Sequence, residues 1–150
     1  MEGKTVVFTG GCGSLGRVMV KALLEYGAAV AVLGRRDRLD ESYEEYRRNG
    51  RLSVIPTDLS KSEDTREGFR KAEEQFGSLD VLVNCAAYGG GAGGKSCEYR
   101  LDRITDEIWE EGVDGTLNIT FRCTREILPY FDRQGGGNIV NIASMYGMIA

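Results

Sequence analysis

The apolar positions of this chain fall into five short runs, separated by longer stretches in which apolar residues recur every three or four positions. The runs occupy residues 5–9, 28–33, 52–55, 79–84 and 138–143. Each is short and rich in β-branched residues, as expected of strands covered on both faces. The longer stretches predict four helices. Leu15, Val18, Met19, Ala22, Leu23 and Tyr26 mark the apolar face of the first, and Leu39, Tyr43 and Tyr46 that of the second. Phe69, Ala72 and Phe76 mark the third, and Leu117, Thr124, Leu128 and Phe131 the fourth. Gly27, Gly50 and Gly77 stand where a helix gives way to the next strand, the usual place for a left-handed cap. Ser60 followed by Glu63 reads as a capping box opening the third helix. Strand and helix alternate at roughly 25 residues per unit, which predicts right-handed crossovers and an α/β fold. The expected architecture is a Rossmann-like, doubly wound parallel sheet of five strands and four helices, forming one domain over residues 1–150.

Composition narrows the function. With 41% hydrophobic residues the 150-residue chain can bury a real core. Its net charge is −4, with basic and acidic residues interspersed, so no basic field would collect a nucleic acid. No apolar run approaches the ~20 residues of a membrane span. The chain opens on a strand rather than a charged-then-apolar leader, so no membrane partner is expected and a cytoplasmic setting is the default. Cysteines stand at 12, 85, 97 and 123, none at a zinc-pair spacing, and histidine is absent. No metal is expected, and the cysteines read as ordinary thiols. Without histidine there is no Ser-His-Asp or Cys-His nucleophile, and hydrolase readings fall away.

The chemistry concentrates in TGGCGSLG, residues 9–16, between the first strand and the first helix. Glycine there lets backbone approach closely, and the following helix N-terminus favours an anion such as a dinucleotide pyrophosphate. Gly11, Gly13 and Gly16 satisfy G-x-G-x-x-G, but a glycine turn that merely packs helix on strand would satisfy it equally. Three further motifs accompany it. TGGCGSLG resembles the T-G-x-x-x-G-x-G fingerprint of the short-chain dehydrogenase/reductase family. LVNCAA, residues 82–87, resembles that family's N-N-A-G segment, and Asp58-Leu59 resembles its Asp-apolar pair beside the adenine. NIVNIASMYG, residues 138–147, resembles the strand that ends in the catalytic serine. The four occur in order, on expected strand ends, across essentially the whole chain.

The resemblance implies an NAD(P)-dependent oxidoreductase that passes hydride between nicotinamide and a small-molecule carbonyl or alcohol. It implies cofactor contacts from Gly10, Cys12, Ser14, Leu15, Gly16, Arg35, Arg36, Asp58, Leu59, Asn84 and Ala86, and a catalytic role for Ser144. It also implies that the full-length form is a homo-oligomer. Ser14 departs from the fingerprint's glycine, and Cys85 and Ala87 depart from N-N-A-G. Relatives that use NAD end the second strand with an acidic residue; here Gly34 takes that place and Arg35-Arg36 follow, which suits the 2′-phosphate of NADP, with NAD the alternative.

The family's catalytic tyrosine and lysine form Tyr-x-x-x-Lys, and no such spacing occurs in these 150 residues; Tyr146 follows Ser144 too closely and reads as a packing or substrate-side aromatic. In WEEGVDGTLNITF, Trp109, Asp114 and Phe121 align with the family's helix, and Thr116 takes its asparagine position. Asn118 lies two residues on, about 200° around an α-helix. Residues 88–94 (YGGGAGG) and on through Leu101 would border the substrate or form a surface loop. The leading expectation is therefore an NADP-preferring oxidoreductase represented by its N-terminal portion. A non-catalytic NADP-binding module or an inactive remnant are the alternatives. Ending at a fifth strand would leave a sheet edge that invites self-association.

Overall fold

Five strands, β1 (Thr5–Thr9), β2 (Ala29–Gly34), β3 (Leu52–Pro56), β4 (Val81–Asn84) and β5 (Asn138–Asn141), pair in parallel in the order β3-β2-β1-β4-β5. These come from a computed structural model that describes residues 1–87 and 100–144. The expectations for residues 88–99, Cys97 and Tyr146 lie outside the described residues. The helices are α1 (Ser14–Glu25), α2 (Glu44–Arg48), α3 (Ser62–Phe76), α4 (Asp106–Val113) and α5 (Ile119–Gln134). A π-helical segment, Asp114–Asn118, joins α4 to α5 without a break, so four helical bodies cover the sheet as the pattern predicts. This is the Rossmann-like α/β fold.

The central strands β1, β2 and β4 read as continuous apolar runs because both faces are covered, whereas β5, expected to be covered likewise, has three of its four residues exposed. Val7, Leu33 and Leu82 pack with Phe69, Cys123 and Ile127 of α3 and α5. On the opposite face, Val6, Phe8, Val30 and Val32 pack with Val20, Leu24 and Tyr43 of α1 and the segment leading into α2. Each such side chain contributes roughly 1.5–3 kcal/mol by leaving water. Gly27, Gly50 and Gly77 adopt φ of 89°, 77° and 78°, the left-handed caps expected of them.

Three local expectations are corrected. The core face of α1 is Gly16, Val20 and Leu24, flanked by Met19 and Leu23, while Leu15, Val18, Ala22 and Tyr26 are exposed. The helix carries two apolar stripes, and the one containing glycine wins because it lets α1 lie close against the loop after β1. In the fourth helical body Phe131 is buried as expected, with Gly115, Ile119, Cys123 and Ile127, but Leu117 and Leu128 are exposed. The π turn adds a residue to the helical repeat and rotates everything downstream, so an α-period reading across it lands on the wrong face. The Ser60–Glu63 capping box does not form: Lys61 is the N-cap of α3, with no side-chain cap bond. The Ser60 hydroxyl donates instead to Asp58 Oδ1 at 2.6 Å.

Candidate functional site: a cavity at the carboxyl ends of the strands

The strand order reverses direction between β1 and β4, and a cavity of about 660 Å³ opens there, beyond the carboxyl ends of all five strands. Such a crevice is where open α/β sheets bind ligands. Each strand contributes the residues that follow it. After β1 come residues 10–16; β2 supplies Arg35 and Arg36; after β3 come Thr57, Asp58 and Leu59; after β4, Cys85, Ala86 and Ala87; after β5, Ile142, Ala143 and Ser144.

The β1 loop is held by backbone contact. A Cβ on Gly16 would lie 2.4 Å from the Gly10 carbonyl oxygen, and one on Gly10, whose φ is +73°, would lie 2.7 Å from Ala86 Cα. A Cβ on Gly11 would meet Val32 Cγ1 at 2.8 Å. Only glycine fits these positions without displacing backbone or core. Thr9, the last residue of β1, ties this loop to the next one: its Oγ1 accepts the N–H groups of Cys85 and Ala86, each at 3.1 Å, and donates to the Val83 carbonyl at 3.3 Å. The sequence reading placed Thr9 in the fingerprint but gave it no role. A threonine closing a buried parallel strand just before a glycine turn was the available clue.

The N-cap of α1 is Gly13, which has no side chain to satisfy the first-turn N–H groups. Residues 13–16 line the cavity, so that helix end and its dipole are presented to whatever binds there. A diphosphate fits this donor set: uncapped N–H groups on a loop whose glycines pack too closely for a Cβ. Arg35 and Arg36 add positive charge on the β2 side. On the β3 side, the Ser60 hydroxyl holds the Asp58 carboxyl below its usual range, keeping an ionised acceptor at the wall. Burial pushes the Cys12 and Cys85 thiols up, so both stay neutral at physiological pH.

Of the site residues expected from sequence, Gly10, Cys12, Ser14, Leu15, Gly16, Arg35, Arg36, Asp58, Leu59, Ala86 and Ser144 all line this one cavity. Asn84 does not. It is 4% exposed and stands behind the wall, its amide nitrogen donating to Asn141 Oδ1 at 2.9 Å and to Thr124 Oγ1 at 3.4 Å. Its amide therefore bridges β4, β5 and α5. Thr116 sits in the π segment, exposed, with its hydroxyl donating to the Gly112 carbonyl at 2.7 Å. Asn118 is held by Asp114 Oδ1 at 3.2 Å. Among the described residues no cluster of histidine, cysteine or carboxylate could hold a metal, and no helix is long and apolar enough to cross a membrane.

Known proteins resemble this chain over nearly its whole length. The chain is 31% identical to a 3-oxoacyl-acyl-carrier-protein reductase of Staphylococcus epidermidis, over 96% of this chain and 57% of the relative. It is 30% identical to 3beta-hydroxysteroid dehydrogenase 2 of Eggerthella lenta, over 100% of this chain and 56% of that one. Among solved structures, a 3-ketoacyl-ACP reductase from Sinorhizobium meliloti superposes with a TM-score of 0.83 at 28% identity, over 95% of this chain and 55% of that one. The chain thus spans a little over half the length of these relatives. The family model for short chain dehydrogenases matches residues 4–150, nearly the whole sequence. This chain belongs to the short-chain dehydrogenase family.

Proposed function

We propose that this protein is an NADP-preferring oxidoreductase acting on a carbonyl/alcohol pair. The observation that carries the reading is the composition of one cavity wall to wall: an uncapped helix N-terminus after β1, two arginines after β2 where no carboxylate stands, and the Ser144 hydroxyl after β5. Bound there, the nicotinamide would accept or supply hydride. The chain's own residues would hold and orient it. The backbone of residues 13–16 would take the diphosphate, Arg35 and Arg36 the ribose end, and Asp58 and Leu59 the base. Cys85 and Ala86 would close the cavity floor, and Asn84 would brace β4 against β5 behind it. Ser144 would donate its hydroxyl to the substrate's carbonyl oxygen, favouring the charge that develops there.

The relatives named above are, by their names, a 3-oxoacyl reductase and a 3β-hydroxysteroid dehydrogenase, both working on ketone/secondary-alcohol pairs; that class is the one proposed here. We place the reaction in the cytosol, in an oligomer of the full-length protein. The test is hydride transfer by the full-length protein, followed through the nicotinamide absorbance with 3-oxoacyl thioester and 3-ketosteroid substrates. Turnover with NADPH exceeding that with NADH supports the reading. Nucleotide binding without turnover on any ketone or alcohol would support the second reading, a binding module. The observation that favours that second reading is Thr116, whose hydroxyl is spent on its own helix where the family places an asparagine.

A further inference from the structure

Arg47 lies in α2, outside the cavity wall, and has a feature the site described so far does not explain. Its Nη2 is buried and has no hydrogen-bond partner, and none of the ion pairs among the described residues includes it. A buried guanidinium nitrogen without an acceptor is costly and unusual, and calls for an anion or a function to offset it. Just ahead of α2, the Tyr43 hydroxyl donates to the Arg17 carbonyl at 2.6 Å, fastening this segment against α1.

The segment that carries Arg47 packs beside Cys12: Tyr43 and Tyr46 belong to the same apolar cluster as that thiol. Arg47, like Asp37 and Arg36, acts electrostatically on that thiol, and Cys12 itself lines the cavity. Being neutral, Cys12 does not cancel the arginine. The opposing Asp37 is exposed and lies 3.9 Å from Arg38, where water screens it. Arg36 faces the cavity directly, so the ribose end has one guanidinium in its wall and another behind it.

We infer that Arg47 is a specificity-determining residue of this site: held behind Cys12, its charge favours a nucleotide bearing a ribose 2′-phosphate over one bearing a 2′-hydroxyl. The inference rests on the NADP reading proposed above and deepens it. It acts through space, since the buried nitrogen does not line the cavity.

The experiment is calorimetric titration of the full-length protein with adenosine 2′,5′-bisphosphate and with 5′-AMP, for the wild type and for R47Q, R47K and R36Q. R47Q is expected to weaken the bisphosphate about tenfold and leave 5′-AMP unchanged, as loss of one nearby unit charge predicts. R47K should retain most of the preference. The melting temperature of ligand-free R47Q should not fall, because the charge removed was unpaired. Equal weakening of both ligands, a lowered melting temperature with a matching loss, or no change in preference would each overturn the inference. If R36Q loses the preference while R47Q keeps it, the role of Arg47 fails and the NADP reading stands. If the wild type binds both ligands alike, the NADP reading fails and takes the inference with it.

Discussion

On the β1 side of the cavity every strand residue is buried, and Gly10, Gly11 and Gly16 lie against backbone and core with no room for a Cβ. On the β5 side three of four strand residues are exposed, and Ser144 follows in irregular chain. The two sides face the same space but owe their shape to different things. The β1 side is set by backbone packing, which is rigid and unforgiving. Among the described residues, β5 pairs with β4 and is braced by the Asn84–Asn141 bond. Under the proposed reading, the nucleotide would meet the closely packed side, and the Ser144 hydroxyl would be presented from the less covered one.

Four substitutions or modifications probe that contrast. The largest effect is expected from Gly16→Val, which drives a side chain into the Gly10 carbonyl. It should cost about 3 kcal/mol or more of stability and abolish nucleotide binding, read by thermal melting and calorimetry. Retained binding would show that the loop is not held by that contact. On the opposite side, Ser144→Ala should lower turnover by about 100-fold or more while leaving the nucleotide dissociation constant unchanged. A parallel loss of nucleotide affinity would erase the division between the two sides. Thr116→Ala should change turnover by no more than about twofold, because its hydroxyl serves its own helix. A tenfold or larger loss would give Thr116 the role of the missing asparagine.

The smallest effects concern the thiols. At neutral pH, Cys12 and Cys85 should alkylate slowly, because burial raises both and keeps them protonated. Their rates should climb as pH rises through the ordinary thiol range and beyond, while Cys123, pushed up to about 12 and buried, stays inert. Bound NADPH should protect Cys12 and Cys85, read by mass spectrometry of the labelled peptides. Reaction unaffected by nucleotide would put the ligand elsewhere.

The central strands were legible in the sequence because double-sided burial leaves unbroken apolar runs, and the cavity was legible because its residues are the ones that follow the strands. The helix faces were read less well. α1 carries two apolar stripes, and periodicity cannot say that a glycine face, rather than Leu15, Val18 and Tyr26, turns inward. In α5 the π turn at Asp114–Asn118 shifts the phase by a residue, which an α-period reading cannot anticipate. Ser60 has the spacing of a cap, but its hydroxyl had a nearer carboxylate in Asp58. Arg47 stands among charged neighbours in α2, and nothing in that pattern says that its Nη2 is buried without a partner.

The central claim is that the cavity beyond β1 and β4 holds NADP, and titration of the full-length protein with NADPH and NADH by calorimetry tests it most directly. The account predicts saturable binding of both, tighter for NADPH, and lost in Gly16→Val. No saturable binding of either nucleotide, or binding that survives Gly16→Val undiminished, would contradict it.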